Sequence, residues 1–324
     1  VGPTVEAAQA LCDEGSDALK EVLLFASGAR AAVLDAVLQH APLAPNGCGS
    51  GPLVVFLGCG IGGGPVRAAR ALVGRAGSVV ACEADPLRAA AALNLVTWAQ
   101  VSDAVRVWVG RGEQLLPRLA REHGPGCIGT LVLTAQGVEY QEELQRAEAL
   151  GLLAAGALVV ADGVLHPMAP ELVWRICCTP AFAARCAAEA DGDWVLAARY
   201  APIPAAPPAA SLPPEPLPRW PRAPAGARQL RHAADEARRR SAAWRQRDRM
   251  RMGPQYAPTP AEVADAIEAY AAIGVSPTVV RPRQADGFWR VDLPPAFSST
   301  AGISGIGDGA SVVTPAQAGA GTYE

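Results

Sequence analysis

Up to about Tyr200 the chain alternates short β-branched runs with longer Ala-, Leu- and Arg-rich stretches, and this alternation admits few folds. The runs fall at 53–57 (LVVFL), 78–82 (SVVAC), 105–109 (VRVWV), 128–133 (IGTLVL), 156–161 (GALVVA) and 193–200 (DWVLAARY). Between them, helical spacing of apolar residues marks 65–74, 86–100, 112–122, 139–149 and 168–176. Strand and helix in regular succession predict a doubly wound, mostly parallel sheet. Ahead of the first run, 4–12, 16–25 and 28–40 read as an Ala-rich helical preface.

The pattern stops at residue 201. From Ala201 to Pro224 proline recurs at nearly every second or third position, removing backbone donors and favouring an extended path. An Arg-dense helix is expected over 226–252 and an amphipathic one over 260–273, opened by Pro260. The end, 298–324, is rich in Gly, Ser and Ala. The expectation is therefore a domain at 1–200 and, at 201–324, an extended Pro- and Arg-rich tail with short helices that wraps a partner. Trp220, Phe288, Trp289 and Phe297 are too sparse there for a core and suit pockets on another body. Arg238, Arg239, Arg240 and Trp244 would dock on acidic protein, with RNA or anionic lipid headgroups as other occupants.

Composition narrows the classes. With 324 residues and 50% hydrophobic content the chain can bury a large core, which excludes a disordered protein. A formal charge of −3 argues against a globally basic nucleic-acid binder. The longest apolar stretch, Gly151 to Ala161, is cut by Asp162 and is too short to span a bilayer. Eight cysteines form no CxxC pair and sit mostly in apolar runs, as expected of a reduced compartment; Cys177 and Cys178 read as apolar filling. A start at Val1 rather than Met suits a processed organellar protein, chloroplast or mitochondrial, with the cytoplasm as the other location.

Chemistry concentrates after the first run, at Gly58-Cys59-Gly60-Ile61-Gly62-Gly63-Gly64, which leads into a helix. Glycines there let a backbone turn sharply and approach a ligand at a helix N-terminus. Glu83 ends the second run, where a carboxylate can accept both ribose hydroxyls of an adenosine. GxGxxG spacing alone also admits a nicotinamide-dependent oxidoreductase.

The order of motifs is more specific. The Gly loop, ACEADP, VRVWVGRGEQLLPRL, LVLTAQGVEYQEEL and GLLAAGALVVADGVLHPMAPEL together resemble catechol O-methyltransferase, a class I S-adenosylmethionine-dependent family, over about Val5 to Tyr200. VLLFASGARAAVLDAVL at 22–38 resembles that family's cofactor-side N-terminal loop and helix. The resemblance implies a Rossmann-like class I fold, with Gly58, Gly60 and Gly62 facing the methionine part of the cofactor, Glu83 the ribose and Gln114 the adenine edge. It also exposes departures. Phe56 replaces an acid two residues before the first glycine, and Glu113 a small hydroxyl residue, so S-adenosylmethionine is expected to bind weakly or not at all.

The catalytic half departs further. The family holds Mg²⁺ through an Asp after the fourth strand and an Asp-Asn pair after the fifth; here those positions are Thr134 and Asp162-Gly163. Asp162 is the one retained ligand, Gly137 stands where the general-base lysine is expected, and an acid that orients the catechol maps to Arg185. Glu139, Glu142 and Glu143, at a helix start, are expected in solvent, and His166 in a structural loop. The resulting expectation is a non-catalytic, catechol O-methyltransferase-like structural or assembly subunit without Mg²⁺. The alternative is an active S-adenosylmethionine-dependent O-methyltransferase on another substrate.

Overall fold

The apolar runs pair into one sheet. In the computed structural model, residues 28–42, 52–75, 77–134, 139–165, 168–201, 223–233, 235 and 259–298 are described. Strands β1 (Leu53–Leu57), β2 (Ser78–Glu83), β3 (Val105–Val109), β4 (Ile128–Leu133), β5 (Leu153–Ala161), β6 (Phe182–Ala190), β7 (Asp193–Tyr200) and β8 (Val279–Val280) form it in the order 3-2-1-4-5-7-6-8. Strands β1 to β5 are parallel, β7 is antiparallel to both β5 and β6, and β8 is parallel to β6.

Both faces are covered. Leu53, Val55 and Leu57 of β1 enter a core with α4 (Gly112–His123), α5 (Tyr140–Ala149) and α6 (Pro170–Cys178). Val54 and Phe56 enter a second core with α1 (Gly28–Gln39), α2 (Gly63–Ala71) and α3 (Pro86–Trp98). A strand buried on both sides has no polar alternation, which is why the runs read as continuous apolar blocks. Local chemistry sets the helix starts. Asp85 accepts from Leu87 N at 2.8 Å ahead of Pro86, a capped entry into α3. This is the doubly wound, mostly parallel sheet of the Rossmann-like class I methyltransferase fold.

Two expectations change. No strand is expected between 161 and 193, yet β6 fills it, because its Ala-rich composition reads as helix while its pairing with β7 makes it a strand. The signal for it is the dipeptide Asp191-Gly192, with φ of 52° and 74°, a two-residue hairpin turn. Asp286-Gly287, with φ of 53° and 80°, makes the same turn between β9 (Arg283–Ala285) and β10 (Phe288–Arg290).

The larger correction concerns the tail. Residues 225–233 are helical (α7), and after them α8 (Pro260–Ala272) opens with a reciprocal Thr259–Glu262 cap. Far from leaving the domain, 259–298 packs on it. Tyr270, on α8, is fully buried and stacks on Trp194 with ring centroids 6.2 Å apart. Val279 and Val280 extend the sheet beside β6, and Phe297 is fully buried in the core with α1 to α3. Tyr270 and Phe297 each find a site on the methyltransferase-like domain, so a core of the tail's own is not required. Phe288 and Trp289 are exposed, at 72% and 41%. Trp220, Arg238, Arg239, Arg240 and Trp244 lie outside the described residues, as do 4–12 and 16–25 of the helical preface.

Candidate functional site

The sheet order reverses between β1 and β4, and at such a switch point the loops leaving the strands' carboxyl ends diverge to opposite faces and leave a crevice. Gly58, Glu83, Thr134 and Asp162 all stand at this edge, directly after or at the ends of β1, β2, β4 and β5.

The glycine loop is shaped by its own backbone. Gly58, Gly60 and Gly62 have φ of 86°, 56° and 96°. At Gly62 a Cβ would lie 3.1 Å from both Cα and Cβ of Ala92, so α2 and α3 approach closely only because no side chain intervenes. Glu83 ties the loop to β2: its Oε2 accepts from Gly60 N at 2.9 Å and its Oε1 from Asp85 N at 3.0 Å. A carboxylate has about four acceptor sites, so two remain for a pair of hydroxyls. Cys59, buried in the loop, has its thiol pushed up to about 12 by burial and by Glu83, which disfavours the thiolate.

The adenine-side positions are less committed. Gln114 is exposed on the first turn of α4, and its Oε1 accepts from Arg111 N at 3.3 Å. Glu113 is exposed beside it. Phe56 lies wholly in the core with α1 to α3, an apolar group where the resemblance implies an acid.

Where the resemblance implies metal ligands, the side chains are engaged elsewhere. The Thr134 hydroxyl donates to the Gly58 carbonyl, and its N–H donates to Leu57 O at 3.1 Å, which turns the side chain back onto the glycine loop. Gly163 offers no side chain. Asp162, only 4% exposed, is engaged by Arg30 of α1, whose Nη1 lies 3.0 and 2.8 Å from the two carboxylate oxygens. Arg30 Nε also lies 3.4 Å from Asp191, in the β6–β7 turn. Asp162, chiefly through Coulomb attraction, holds the guanidinium more firmly protonated than usual. Burial raises the Asp162 carboxyl, an effect Arg30 offsets in part. Asp193, pushed up to about 7 mainly by burial, completes the acidic surroundings while its Oδ1 accepts from Leu165 N and Trp194 N at 2.8 and 2.6 Å. Mg²⁺ demands near-octahedral oxygen ligands, and this donor set does not fit it. Among the described residues no group of three or more His, Cys, Asp or Glu is arranged to hold a metal.

Other positions resolve as follows. Arg185, on β6, donates to the carbonyls of Ile176 and Thr179 at 3.3 and 3.4 Å and so caps α6 instead of facing the crevice. Gly137 and His166 lie outside the described residues. Cys177, half-buried, has its thiol raised to about 12 by burial, in keeping with apolar filling.

The acids of α5 are not in solvent as expected. Glu143 is buried, with Oε1 against Gly112 at the start of α4 and Oε2 without a hydrogen-bond partner among the described residues; burial pushes it up to about 8. Glu142 pairs with Arg231 of α7, which also reaches Glu171 at 2.6 Å. Tyr140, also on α5, donates to the Asp162 carbonyl at 2.9 Å. Sequence reasoning singled out neither Arg30 nor Tyr140. Arg30 sits in the helical preface, 132 residues from its partner, with no local signal of that contact.

The strand order and the glycine loop with its trailing acid define a class I methyltransferase fold. No protein-family model matches the chain. Among curated relatives, catechol O-methyltransferase of Sus scrofa is 29% identical over 38% of this chain and 66% of its own length. Catechol O-methyltransferase of Mus musculus is 27% identical over 52% and 58%, and the transmembrane O-methyltransferase of Homo sapiens 35% identical over 37% and 41%. The chain thus spans less than two thirds of the length of these relatives. Among solved structures, a Bacillus cereus O-methyltransferase in complex with SAH has a TM-score of 0.42 at 16% identity, covering 60% of this chain and 88% of that one. TomG of Streptomyces achromogenes, in complex with SAM, has a TM-score of 0.46 at 17% identity, covering 62% and 92%. The chain is catechol O-methyltransferase-like in sequence over the stretch that these relatives share with it. No helix among the described residues is long and apolar enough to cross a membrane.

Proposed function

We propose that this chain is a non-catalytic, catechol O-methyltransferase-like subunit that keeps a nucleotide-shaped loop and has lost metal-assisted methyl transfer. The observation that carries this is the engagement of Asp162 by Arg30, with Thr134 turned back to the Gly58 carbonyl. A metal-assisted transfer needs the ion to bind the acceptor oxygens and lower a hydroxyl pKa. Here the one retained ligand is neutralised from within the chain. S-adenosylmethionine or S-adenosylhomocysteine would lie over Gly58 to Gly64, with its ribose at the two spare acceptor sites of Glu83. The apolar Phe56 offers nothing to the cofactor's ammonium group, so affinity is weak. Participation in a larger, organellar assembly is part of the same proposal, motivated by the Pro- and Arg-rich sequence after 201 and by the exposed Phe288 and Trp289.

The test is a methyl-transfer assay of the full chain with labelled S-adenosylmethionine and catechols, with and without Mg²⁺, beside calorimetric titration of the cofactor. No turnover under either condition is expected. Metal-stimulated turnover would sink the reading. A second reading, an active metal-independent O-methyltransferase, is favoured by the Glu83–Gly60 geometry. Micromolar cofactor affinity that Glu83→Ala abolishes would move the balance toward it.

A further inference from the structure

Arg30 does more than remove a ligand. Its planar group spans two carboxylates, with Nη1 on both oxygens of Asp162 and Nε toward Asp191, while Asp193 adds Coulomb attraction through space. Three aspartates therefore converge on one cation. They come from the loop after β5, the β6–β7 turn and the start of β7, and the cation comes from α1, so apart from the neighbours Asp191 and Asp193 the grouping joins segments far apart in sequence. Asp162 is 4% exposed and Arg30 25%, which leaves the carboxylate little water to fall back on. A buried charge that loses its partner is strongly destabilising, so something positive has to stand here.

We propose that Arg30 is a resident counter-cation: its guanidinium takes the place of a divalent ion at Asp162 and keeps such ions out. A guanidinium fork suits the role better than an ammonium, because its donors are fixed in one plane and reach separate carboxylates at once. With Arg30 in place, the guanidinium offsets the charge of Asp162 and engages both of its oxygens, so an incoming ion finds neither of them free. With Arg30 removed, Asp162 is left with Asp191 and Asp193 nearby and no cation among them, and this excess of negative charge draws a hydrated divalent ion to the vacated place at Asp162, although the three carboxylates are not arranged in advance as a ligand set. This deepens the metal-free reading of the same site and rests on it. Its test reads ion binding directly and needs no turnover.

The full chain, with Arg30→Ala and Arg30→Gln, is titrated with Mn²⁺ and followed by electron paramagnetic resonance and calorimetry, with thermal melts in Mg²⁺. The wild type is expected to bind no Mn²⁺ at Asp162 and to melt at the same temperature with and without Mg²⁺. Both variants are expected to melt lower without the ion, to bind Mn²⁺ at least about tenfold more tightly than wild type, and to recover part of the lost melting temperature in Mg²⁺. Adding Asp162→Asn to either variant should abolish the gain. The proposal is overturned if wild type binds Mn²⁺ in an Asp162-dependent way, or if folded variants gain no affinity. It is equally overturned if neither variant folds even with Mg²⁺ present, since the ion then cannot stand in for the guanidinium. Any of these failures leaves the absence of catechol turnover to be judged on its own assay.

Discussion

At the scale of single residues, the acid beneath the site is the sharpest case. Glu143 has its folded pKa near 8 against an ordinary 4.5, because burial penalises its ionised form. A group whose folded pKa is raised binds its proton more tightly in the native state. Its contribution to stability is therefore full below about pH 4.5 and is lost as pH rises through about 8. Glu143→Gln removes that titration. Denaturant melts should show the variant more stable than wild type at pH 8, by on the order of 1–3 kcal/mol, and the two nearly equal at pH 5. An unchanged pH slope would show that the Glu143 carboxyl is hydrated. The position illustrates what a sequence conceals: Glu142 and Glu143 are neighbours with the same chemistry, and only the packing of α5 against α4 buries one while the other meets Arg231.

Among the elements, α8 shows how a segment beyond the methyltransferase-like domain can hold one of its loops. The Tyr270 hydroxyl donates to Val164 O at 2.5 Å and accepts from Ala169 N at 3.0 Å, so it bridges the stretch between β5 and α6 while its ring stacks on Trp194. Tyr270→Phe keeps the ring and removes the bridge. It should destabilise the protein by about 0.5–1.5 kcal/mol, because Val164 O and Ala169 N each lose one partner while keeping their 3.1 Å bond to each other, and hydrogen exchange should rise selectively at the amide of Ala169. Uniform protection in the variant would mean that ring packing alone secures the loop. The amphipathic pattern and Pro260 at its start made this helix legible in advance. Its docking face was not, since a stripe of apolar residues specifies that something covers it and not what. The β6–β7 hairpin shows the converse: its Asp191-Gly192 turn was in plain sight, and the Ala-rich strand before it obscured the reading.

For the whole molecule, the test is truncation after Tyr200. Removing Tyr270 and Phe297, each fully buried, forfeits about 3–6 kcal/mol of apolar burial. It also strips Arg199 of its bond to the Phe297 carbonyl and makes β6 an edge strand. The truncated chain should melt several degrees lower and bind a hydrophobic dye. A melting temperature equal to that of the full chain would restore the picture of a tail that serves only a partner. The strand positions of β1 to β5, the glycine loop and Glu83 were all determined by the sequence itself. Those features are written in short-range chemistry: residue type, spacing and backbone freedom. Tertiary structure alone decided that Arg30 answers Asp162, that Thr134 turns back on Gly58, and that Tyr270 and Phe297 belong to the domain's cores. Each of these joins residues far apart in the chain, whose pairing is chosen by the burial and charge balance of the folded molecule, and neither quantity exists in any one segment.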